Sequence, residues 1–409
     1  MSRIDQLIAD LCPDGVEFKA LGDMGSFTRG NGLQKTDLLG EGTPAIHYGQ
    51  VHTLYGTWTT QTKSFVSPEL ASKLRRAKQG DLVIATTSED DDAVAKATAW
   101  LGRDEAAVSG DAYIYRHCLD PKYVAYFFQS GSFQEQKKRH ITGAKVRRIS
   151  GEALGKIRIP VPPFEVQREI VRVLDKFTQL EAELEAELEA RRRQYEYYRD
   201  QLLTFSKEAT FPRLPLGEVA LIVRGASPRP IRKFLTSDKS GIPWIKIGDV
   251  AAEDKYITTT TERVTEAGAA KSRRVSPGDF VLSNSMSFGR PFIMKIEGCV
   301  HDGWLVISNF DKSFVPDFLY HLLRSQPIQE EFVRRAGSGG AVSNLNSDTV
   351  KALTVPIPPL QEQRRIVSIL DKFDSLVNDL SIGLPAELAA RRKQYEYYRD
   401  RLLTFEEKR

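Results

Sequence analysis

The sequence has few cysteines, no long hydrophobic run and little net charge. Cys12, Cys118 and Cys299 lie far apart, whereas a disulfide framework or a zinc site would show paired spacings. No apolar stretch approaches the roughly 18 residues that cross a bilayer, and the amino terminus shows no export signal. A net charge of +4 permits a nucleic-acid partner without demanding one. We therefore expect a globular cytoplasmic protein with no membrane role.

The motifs of enzyme chemistry are also missing. The VPPF segment at 161–164 imitates the Asn/Asp-Pro-Pro-aromatic motif of DNA methyltransferases, but Val161 offers no acceptor for the amine of a flipped base. No glycine-rich loop carries a phosphate-binding lysine. The one dense acidic cluster, at 89–92, is more typical of a solvated loop than of a metal-dependent nuclease. We expect no catalytic residue, metal site or cofactor in this chain.

A tandem duplication dominates the sequence. Residues 191–205, RRRQYEYYRDQLLTF, and 391–405, RRKQYEYYRDRLLTF, are identical at 13 of 15 positions. Further matches pair 159–177 with 355–373, 21–30 with 216–225, 42–51 with 241–250, and 80–88 with 278–286. Each half is therefore a variable domain of about 150 residues followed by a nearly invariant tail. The two variable domains share a frame but differ in their polar residues.

Each tail has the apolar spacing of a long helix. Pro163 suits the first helical position of the first tail. The residues expected at the helix contact are Phe177, Leu180, Leu184, Leu188, Tyr195, Tyr198 and Leu202 in the first tail, and Phe373, Leu376, Leu380, Leu388, Tyr395, Tyr398 and Leu402 in the second. We expect the two helices to pack antiparallel as a rod on the order of 60 Å. The alternative is coiled coils with other chains, but a shared chain favours internal pairing.

The two tails differ in length at one place. Between its matched phenylalanine and arginine the first tail has 13 residues, 178–190, and the second has 17, 374–390. The first contains LEAELEAELEA at 180–190, which is either a filler of strong helix formers or a ruler, because one four-residue unit adds about 6 Å and rotates the helix face by roughly 40°. In the second, SIGLP at 381–385 predicts a break or kink in the helix.

The variable domains combine short β-rich runs with one helical patch each. The runs are 81–87, 112–116, 279–284 and 304–308, and the patches are 121–140 and 316–335. The spacing of Ile4, Leu7, Ile8 and Leu11 predicts a short amino-terminal helix that packs where the circle of repeats closes. These patterns indicate α+β domains with many loops.

On these motifs the chain resembles the specificity subunits of type I restriction-modification enzymes over essentially its whole length. The tails at 191–205 and 391–405 look like the conserved helical regions of that family, and 86–100 and 108–116 look like stretches common in its target-recognition domains. The expected fold is α+β, with two globular target-recognition domains separated by an antiparallel coiled coil of two long helices, and with internal pseudo-two-fold symmetry. The expected segments are target-recognition domains at 1–160 and 210–357, and conserved spacer helices at 161–209 and 358–409.

The resemblance implies a subunit that binds DNA and does no chemistry. Each target-recognition domain would read one half of a split, asymmetric site, while the helices fix the gap and recruit two methyltransferase subunits. Two restriction and translocation subunits can join, and S-adenosylmethionine, ATP and magnesium would belong to those partners. Alone, the chain should bind DNA poorly. Two alternatives are the recognition part of a single-chain restriction-modification enzyme and a structural coiled-coil scaffold without salt-dependent DNA binding.

Corresponding loops of the two halves carry the candidate DNA contacts. Cations would hold phosphates, and amide, Arg, Ser, Thr and aromatic side chains would reach base edges. In the first half the candidates are Arg29, Gln34, Lys35, Tyr48, Gln50, Lys63, Thr86, Thr87, Ser88, Lys145, Arg147 and Arg148. In the second they are Arg224, Arg229, Arg232, Lys233, Lys246, Ser283, Asn284, Ser285, Ser287, Arg290, Ser343, Asn344 and Asn346. The match between Arg224 and Arg29 is equally consistent with a framework role.

Overall fold

The chain divides into two compact units in a computed structural model. The described residues are 3–206, 211–251, 254–284, 288–336, 345–379 and 381–408. Unit 1 is Met1–Glu183 with Ala389–Arg409, and unit 2 is Leu184–Leu388. The last 21 residues therefore belong with the first unit. Within the described part, we find no helix with the length and apolar character to span a bilayer.

Helices cover both tails and the ends of both variable regions. The helices are α1 Arg3–Leu11, α2 Leu21–Met24, α3 Tyr48–Thr53, α4 Pro68–Ala71, α5 Pro121–Phe127, α6 Gly131–Lys138, α7 Gly151–Gly155, α8 Phe164–Leu203, α9 Leu216–Val219, α10 Glu266–Ala269, α11 Pro316–Arg324, α12 Gln326–Ala336, α13 Ser347–Lys351, α14 Leu360–Asn378 and α15 Leu384–Leu402. Helix α8 begins in unit 1 and continues into unit 2, and α15 begins in unit 2 and continues into unit 1.

Short strands form the remainder of each unit. In unit 1 they are β1 Phe18–Ala20, β2 Gly25–Arg29, β3 Thr43–Ile46, β4 Trp58–Thr59, β5 Ser64–Val66, β6 Arg76–Ala77, β7 Leu82–Ala85, β8 Thr87–Ser88, β9 Lys96–Trp100, β10 Ala106–Val108, β11 Ala112–His117, β12 Arg147–Arg148 and β13 Arg158–Pro160. In unit 2 they are β14 Arg213–Pro215, β15 Leu221–Arg224, β16 Leu235–Thr236, β17 Ile242–Ile245, β18 Tyr256–Ile257, β19 Glu262–Val264, β20 Arg273–Val275, β21 Phe280–Ser283, β22 Pro291–Met294, β23 Gly298–Val300, β24 Trp304–Ser308 and β25 Thr354–Pro356.

The centre of unit 1 is a five-stranded sheet with the order β2-β11-β7-β9-β4, beside a four-stranded sheet with the order β5-β3-β10-β6. Strand β7 is buried along its whole length because both of its faces are covered. Its alternate residues Leu82 and Ile84 pack in the core that includes the start of α8. Val83 and Ala85 point to the other face and pack with residues of the second sheet.

In unit 2 the equivalent strands follow the same order, and its second sheet has one further strand, β16, at its edge. Its sheets have the orders β15-β24-β21-β22-β18 and β16-β19-β17-β23-β20. The parallel pairs are also equivalent, since β4 with β9 corresponds to β18 with β22, and β3 with β10 corresponds to β17 with β23. The weak sequence matches at 80–88 and 278–286 are thus the equivalent central strands β7 and β21. The predicted α+β class and internal duplication are confirmed.

Each predicted helical patch is two helices rather than one. Ser130 separates α5 from α6, and its hydroxyl oxygen accepts a hydrogen bond from the backbone N–H of Phe133 while donating to the carbonyl of Phe127. Ser325 separates α11 from α12 and donates to the carbonyl of Leu322. At Ser130 the side chain caps the second helix, and this favours ending the first because the hydroxyl replaces a backbone partner.

The two tails differ as their sequences predict. Helix α8 begins at Phe164, so Pro163 precedes the first helical residue rather than occupying that position, and the helix runs through the whole repeat at 180–190 without a break. The second tail breaks between α14 and α15, where Asp379 Oδ1 accepts hydrogen bonds from the backbone N–H and the hydroxyl of Ser381. Only glycine fits at Gly383, because a Cβ there would lie 2.5 Å from the carbonyl oxygen of Ser375. The four-residue excess of the second tail falls at this break.

The tails pack on each other in opposite directions, and contacts between them occur within each unit. In unit 1, Phe177 stacks on Tyr398 with ring centroids 5.4 Å apart. Glu181, one turn later in α8, pairs with Arg392, which lies earlier in α15, at 2.6 Å. In unit 2, Tyr198 stacks on Phe373 at 5.6 Å. The predicted antiparallel pairing within one chain is therefore confirmed.

Part of the predicted apolar stripe is wrong in detail. Leu188 is 8% exposed but Leu180 is 48% exposed, because leucines spaced by four residues rotate about 40° around the helix at each step. Near the end of α14 it is Val377 that is buried, at 0% exposure, whereas the predicted Leu376 is 38% exposed. Tyr198 is also 42% exposed despite its stacking contact. The predicted stripe residue Leu380 lies outside the described residues.

The two ends of the chain meet inside unit 1. Leu7 and Ile8 of α1 pack against a core that also receives Leu402. The backbone N–H of Val16 donates to the carbonyl of Glu406 at 2.8 Å, and the N–H of Lys408 donates to the carbonyl of Val16 at 2.9 Å. The predicted amino-terminal helix and its position at the closure of the repeats are thus present, although Leu11 remains 44% exposed.

Candidate nucleic-acid interface

Several predicted contact residues of unit 1 line one cavity at the ends of β2, β3 and β10. The lining includes the predicted Arg29, Gln34, Lys35 and Tyr48, and also His47, Ser109 and Asp111. Arg29 donates from Nε to the carbonyl of Gly110 at 2.7 Å and pairs with Asp111 at 3.3 Å. The backbone N–H of Tyr48 donates to the hydroxyl of Ser109 at 2.8 Å, which fixes the start of α3. We call this group the β2–α3 cavity.

His47 gives the β2–α3 cavity a neutral imidazole. Burial lowers the pKa of His47, with the carboxylate of Asp111 acting in the opposite direction and Lys35 adding to the lowering. Its Nδ1 accepts a hydrogen bond from the backbone N–H of Gly49 at 3.2 Å, so the proton of the neutral ring is on Nε2. The cavity therefore combines cations with neutral donors, which suits phosphate oxygens and the acceptors of base edges.

A second group of predicted residues meets where β8 pairs with β12. In this two-stranded ribbon Thr87 lies opposite Arg148, and Ser88 lies opposite Arg147. Arg147 pairs with Asp91 at 2.7 Å, and it also donates to a nearby carbonyl. Within the described residues the exposed side chain of Arg148 has no hydrogen-bond or ion-pair partner, which leaves its charge available. We call this group the β8–β12 ribbon; the exposed Lys145 precedes it.

Other predicted residues of unit 1 stabilise the framework around these two groups. Thr86 is 5% exposed, and its hydroxyl donates to the carbonyl of Asp111. Thr87 is 7% exposed, so little of its side chain is accessible. Gln50 accepts from the backbone N–H of His47 and donates to Ser64 at 2.7 Å, which uses both ends of its amide. Lys63 is exposed.

In unit 2 the predicted residues converge on Asp302, in the turn before β24. Arg224 donates from Nε to its carbonyl at 3.0 Å and Asn284 donates to the same oxygen at 2.9 Å. Arg229 pairs with its carboxylate at 3.4 Å, and the hydrogen bond from Ser227 holds the pKa of Asp302 below its usual value. Asp302 and Asp111 were missed from the sequence, although both lie in the short turn that precedes the last central strand.

The framework role considered for the matched arginines is consistent with this geometry. Arg29 and Arg224 each donate from Nε to a carbonyl in the turn before the equivalent central strand of their own unit. Asn346 caps α13 by accepting a hydrogen bond from the backbone N–H of Thr349 at 2.8 Å. Ser283 is 2% exposed, and its hydroxyl accepts from the backbone N–H of Arg290. These contacts fix the shape of the loops around the turn before β24.

Two predicted cations of unit 2 are exposed on one short helical turn, and a third, Lys246, is half-buried. Arg232 and Lys233 are exposed on the turn Ile231–Lys233. Lys246 precedes the turn Ile247–Asp249 and pairs with Glu262 at 2.9 Å. The predicted contacts Ser285, Ser287, Ser343 and Asn344 lie outside the described residues.

In unit 1 one aspartate joins the sheet domain to the tail helix. Asp175 belongs to the repeated Leu-Asp-Lys-Phe motif of α8. Its carboxylate accepts hydrogen bonds from Tyr126 at 2.7 Å and from Lys122 at 2.7 Å, both on α5. Gln129, at the end of the same helix, accepts a hydrogen bond from Tyr395 of α15 at 3.0 Å. The sheet domain is thus tied to both tail helices by polar contacts.

Unit 2 makes the equivalent joint with a histidine. Asp371, the matching aspartate of α14, lies 3.0 Å from His321 Nε2 and 3.1 Å from Lys255 Nζ. His321 occupies the position of Tyr126, is 0% exposed, and lies 3.1 Å from the hydroxyl of Tyr195 through Nδ1. In unit 1 the lysine, Lys122, lies on α5. In unit 2 the lysine is Lys255, which precedes β18, and it also pairs with Asp317 of α11 at 2.7 Å. The motif aspartate is thus kept while its partners are exchanged.

We expect acid to destabilise unit 2 through His321. Burial lowers the pKa of this imidazole, against the raising effect of Asp371. As the pH falls below the ordinary value of 6.5, the unfolded chain binds a proton that the folded chain does not, so the free energy of unfolding decreases. The His321→Tyr variant copies Tyr126 of unit 1, and it should have a smaller loss of stability between about pH 7 and pH 5.

Chemical denaturation of both proteins at the two pH values measures this difference. His117, whose pKa burial lowers to about 4, is present in both proteins, so its contribution cancels in the comparison. An equal or steeper pH dependence in the variant would show that the pKa of His321 does not differ between the folded and unfolded states.

Comparison with known proteins gives one consistent family. The model of the type I restriction modification DNA specificity domain matches residues 13–190 and 212–390. The chain is 34% identical over 330 residues to the Escherichia coli type I restriction enzyme EcoR124I/EcoR124II specificity subunit, covering 76% of this chain and 78% of that protein. It is 35% identical over 278 residues to a putative type I restriction enzyme specificity subunit of Haemophilus influenzae, covering 65% and 68%.

Two solved structures share the fold. A chain from a study of complex assembly and conformational transition of the type I R-M system matches with a TM-score of 0.65 at 18% identity, covering 95% of this chain and 97% of that chain. The type I restriction-modification S subunit from M. genitalium matches with a TM-score of 0.50 at 14% identity, covering 95% and 96%. At these identities the likeness concerns the fold alone.

Proposed function

The chain belongs to the type I restriction-modification DNA specificity family as a specificity subunit, and on that basis we propose that its two units read the two halves of one bipartite, asymmetric DNA site. The observation that carries this proposal is the repetition of one strand order in both units with different polar residues on the equivalent loops. Two equivalent frames match two half-sites on a duplex, and unlike loops make the half-sequences differ.

The proposed reading surfaces are those where cations and neutral donors lie together. In unit 1 these are the β2–α3 cavity and the β8–β12 ribbon, and in unit 2 they are the loops around Asp302 with the exposed turn at Arg232 and Lys233. Exposed arginine and lysine side chains would neutralise phosphates, and this part of the binding should weaken as salt rises. Neutral groups such as His47 and Tyr48 would contribute to discrimination between bases.

The repeated tails are the proposed docking sites for two methyltransferase subunits. Tyr197 and Tyr397 occupy the same position in the two copies, and each is 61% exposed. Stability explains why residues that pack between the tails are identical in the two copies. It does not explain an exposed aromatic side chain that is identical in both, which is better explained by one kind of partner bound twice. That partner would bring S-adenosylmethionine, and restriction subunits, where they join, would bring ATP and magnesium.

Methylome sequencing of cells that express this chain with its methyltransferase tests the proposal. We expect modified adenines in a motif of two unlike short sequences separated by an unspecified spacer. The motif should disappear when this chain is omitted. A continuous motif without a spacer would contradict a bipartite site. Methylation by this chain without a methyltransferase partner would instead support a single-chain enzyme. A coiled-coil scaffold predicts that the methylated motif is independent of this chain.

A further inference from the structure

Lys137 is a buried lysine of unit 1, and the residue at the equivalent position of unit 2 is apolar. It lies on α6, is 0% exposed, and donates from Nζ to the carbonyls of Asp92 and Val94 at 2.9 Å each. Counting from the matched serines Ser130 and Ser325, the equivalent residue of unit 2 is Phe332, which is also 0% exposed. Burying an ammonium group costs more than burying a ring, so packing alone does not account for a lysine here.

Lys137 contacts the segment between β7 and β9, which is longer than the equivalent segment of unit 2. Ten residues, 86–95, separate β7 from β9 in unit 1, and seven, 284–290, separate β21 from β22. The longer segment contains the acidic run 90–92 and ends at Ala95, whose φ of 64° is unfavourable for a residue with a Cβ. Burial lowers the pKa of Lys137 to about 8, while the carboxylates of the acidic run oppose this lowering and favour the charged form.

This segment carries one side of the β8–β12 ribbon. Strand β8 precedes the acidic run directly, and Asp91 pairs with Arg147 of β12 at 2.7 Å. Lys137 fixes the carbonyl of the next residue, Asp92. The contacts therefore run from the buried ammonium through the segment to the ribbon, where Arg148 presents its exposed side chain. A change at Lys137 should reach the ribbon without touching the cavity side chain Tyr48 or any residue of unit 2.

We propose that Lys137 is a positioning residue for sequence reading by unit 1, and that it acts by holding the segment 89–94 and with it the β8–β12 ribbon. The proposal rests on the proposed function, because it assumes that the ribbon faces DNA. A methionine in its place would fill similar volume but leave the carbonyls of Asp92 and Val94 without this donor, and the loss is costly at Val94 because that residue is buried. The segment should then rearrange, while the sheet core stays folded.

The experiment compares methylomes of cells that express the methyltransferase with wild-type chain, Lys137→Met, Lys138→Met or Asp91→Asn. Lys138 is the matched control because it is the next residue of α6 and is exposed. For Lys137→Met we expect bases to become degenerate in one half of the motif only, with at least tenfold loss of discrimination at one or more positions. The other half and the spacer length should stay unchanged, and Lys138→Met should give the wild-type motif.

Asp91→Asn keeps the test decisive if Lys137→Met fails to fold. It removes the charge that holds Arg147 at an exposed site, and the same half of the motif should degenerate, to a smaller extent. A uniform loss of methylation in Lys137→Met with an unchanged motif would mean only destabilisation and would overturn the proposal. An unchanged motif in Asp91→Asn would overturn it as well. Absence of any bipartite motif with the wild-type chain would count against the proposed function instead.

Discussion

Insertion of one further Glu-Ala-Glu-Leu unit after Leu188 should lengthen the unspecified spacer of the recognised site and leave both half-sequences unchanged. Helix α8 is continuous from Phe164 to Leu203, so four added residues lengthen it by about 6 Å and turn its face by roughly 40°. With a rise of about 3.4 Å for each base pair, we expect the spacer to grow by about one or two base pairs. Methylome sequencing of the variant measures both the spacer and the halves.

The repeat tolerates this insertion because much of it makes few packing contacts. Leu180 is 48% exposed and the glutamates from Glu183 to Glu189 are exposed, while Leu188 is buried and Glu181 is half-buried. The second tail already has four extra residues, which fall at the break between α14 and α15. A length difference of one such unit between the two tails is therefore already part of this protein.

Two control variants separate length from composition and from helical phase. Replacing the glutamates of 181–189 with glutamine keeps the helix length, so the spacer should not change. Inserting two residues in place of four turns the helix by roughly 200°, which would move buried side chains on one side of the insertion to the opposite face. That variant should lose methylation. An unchanged spacer in the four-residue variant would refute the ruler interpretation and favour the filler.

Much of the fold was predictable from the repeat and from local chemistry. A duplicated sequence requires a duplicated frame, and equivalent strands follow the same order in the two units, with β16 as a further edge strand in unit 2. The break near Gly383 followed from glycine and proline in one short segment. Leu376 was assigned wrongly because two adjacent apolar residues, Leu376 and Val377, both fit a helical period, and the difference between them depends on the neighbour that α14 meets.

The candidate site was less predictable because its geometry depends on contacts distant in sequence. Asp302 organises Arg224 and Asn284 across separations of 78 and 18 residues, which no local pattern reveals. Lys137 holds carbonyls 45 and 43 residues earlier. A solvated acidic loop was the expected reading of the run at 89–92, and its ion pair with Arg147 and its attachment to a buried lysine appear only in three dimensions. Residue type gave the candidates, and packing separates framework from exposed groups.

Replacing Tyr197 and Tyr397 with alanine should remove the two proposed methyltransferase sites one at a time. Because the tyrosines occupy equivalent places in the two tails, either single variant should bind one methyltransferase, and the double variant should bind neither firmly. Loss of an exposed aromatic anchor at an interface costs about 2 kcal/mol, or roughly 30-fold in Kd at that site. Native mass spectrometry of the mixed proteins counts the bound copies, and calorimetry gives the affinities.

The controls for this experiment distinguish docking from folding. Val333 is also 61% exposed but lies outside the tails, so Val333→Ala should retain two bound methyltransferases. Tyr195→Phe removes a buried hydroxyl that contacts His321, and it should lower the free energy of unfolding without changing stoichiometry. Two firmly bound methyltransferases on the double alanine variant would exclude the exposed tyrosines as anchors. Loss of both partners from a single variant would mean that the two sites are coupled, because independent sites on repeated tails require a one-to-one correspondence between tyrosine and partner.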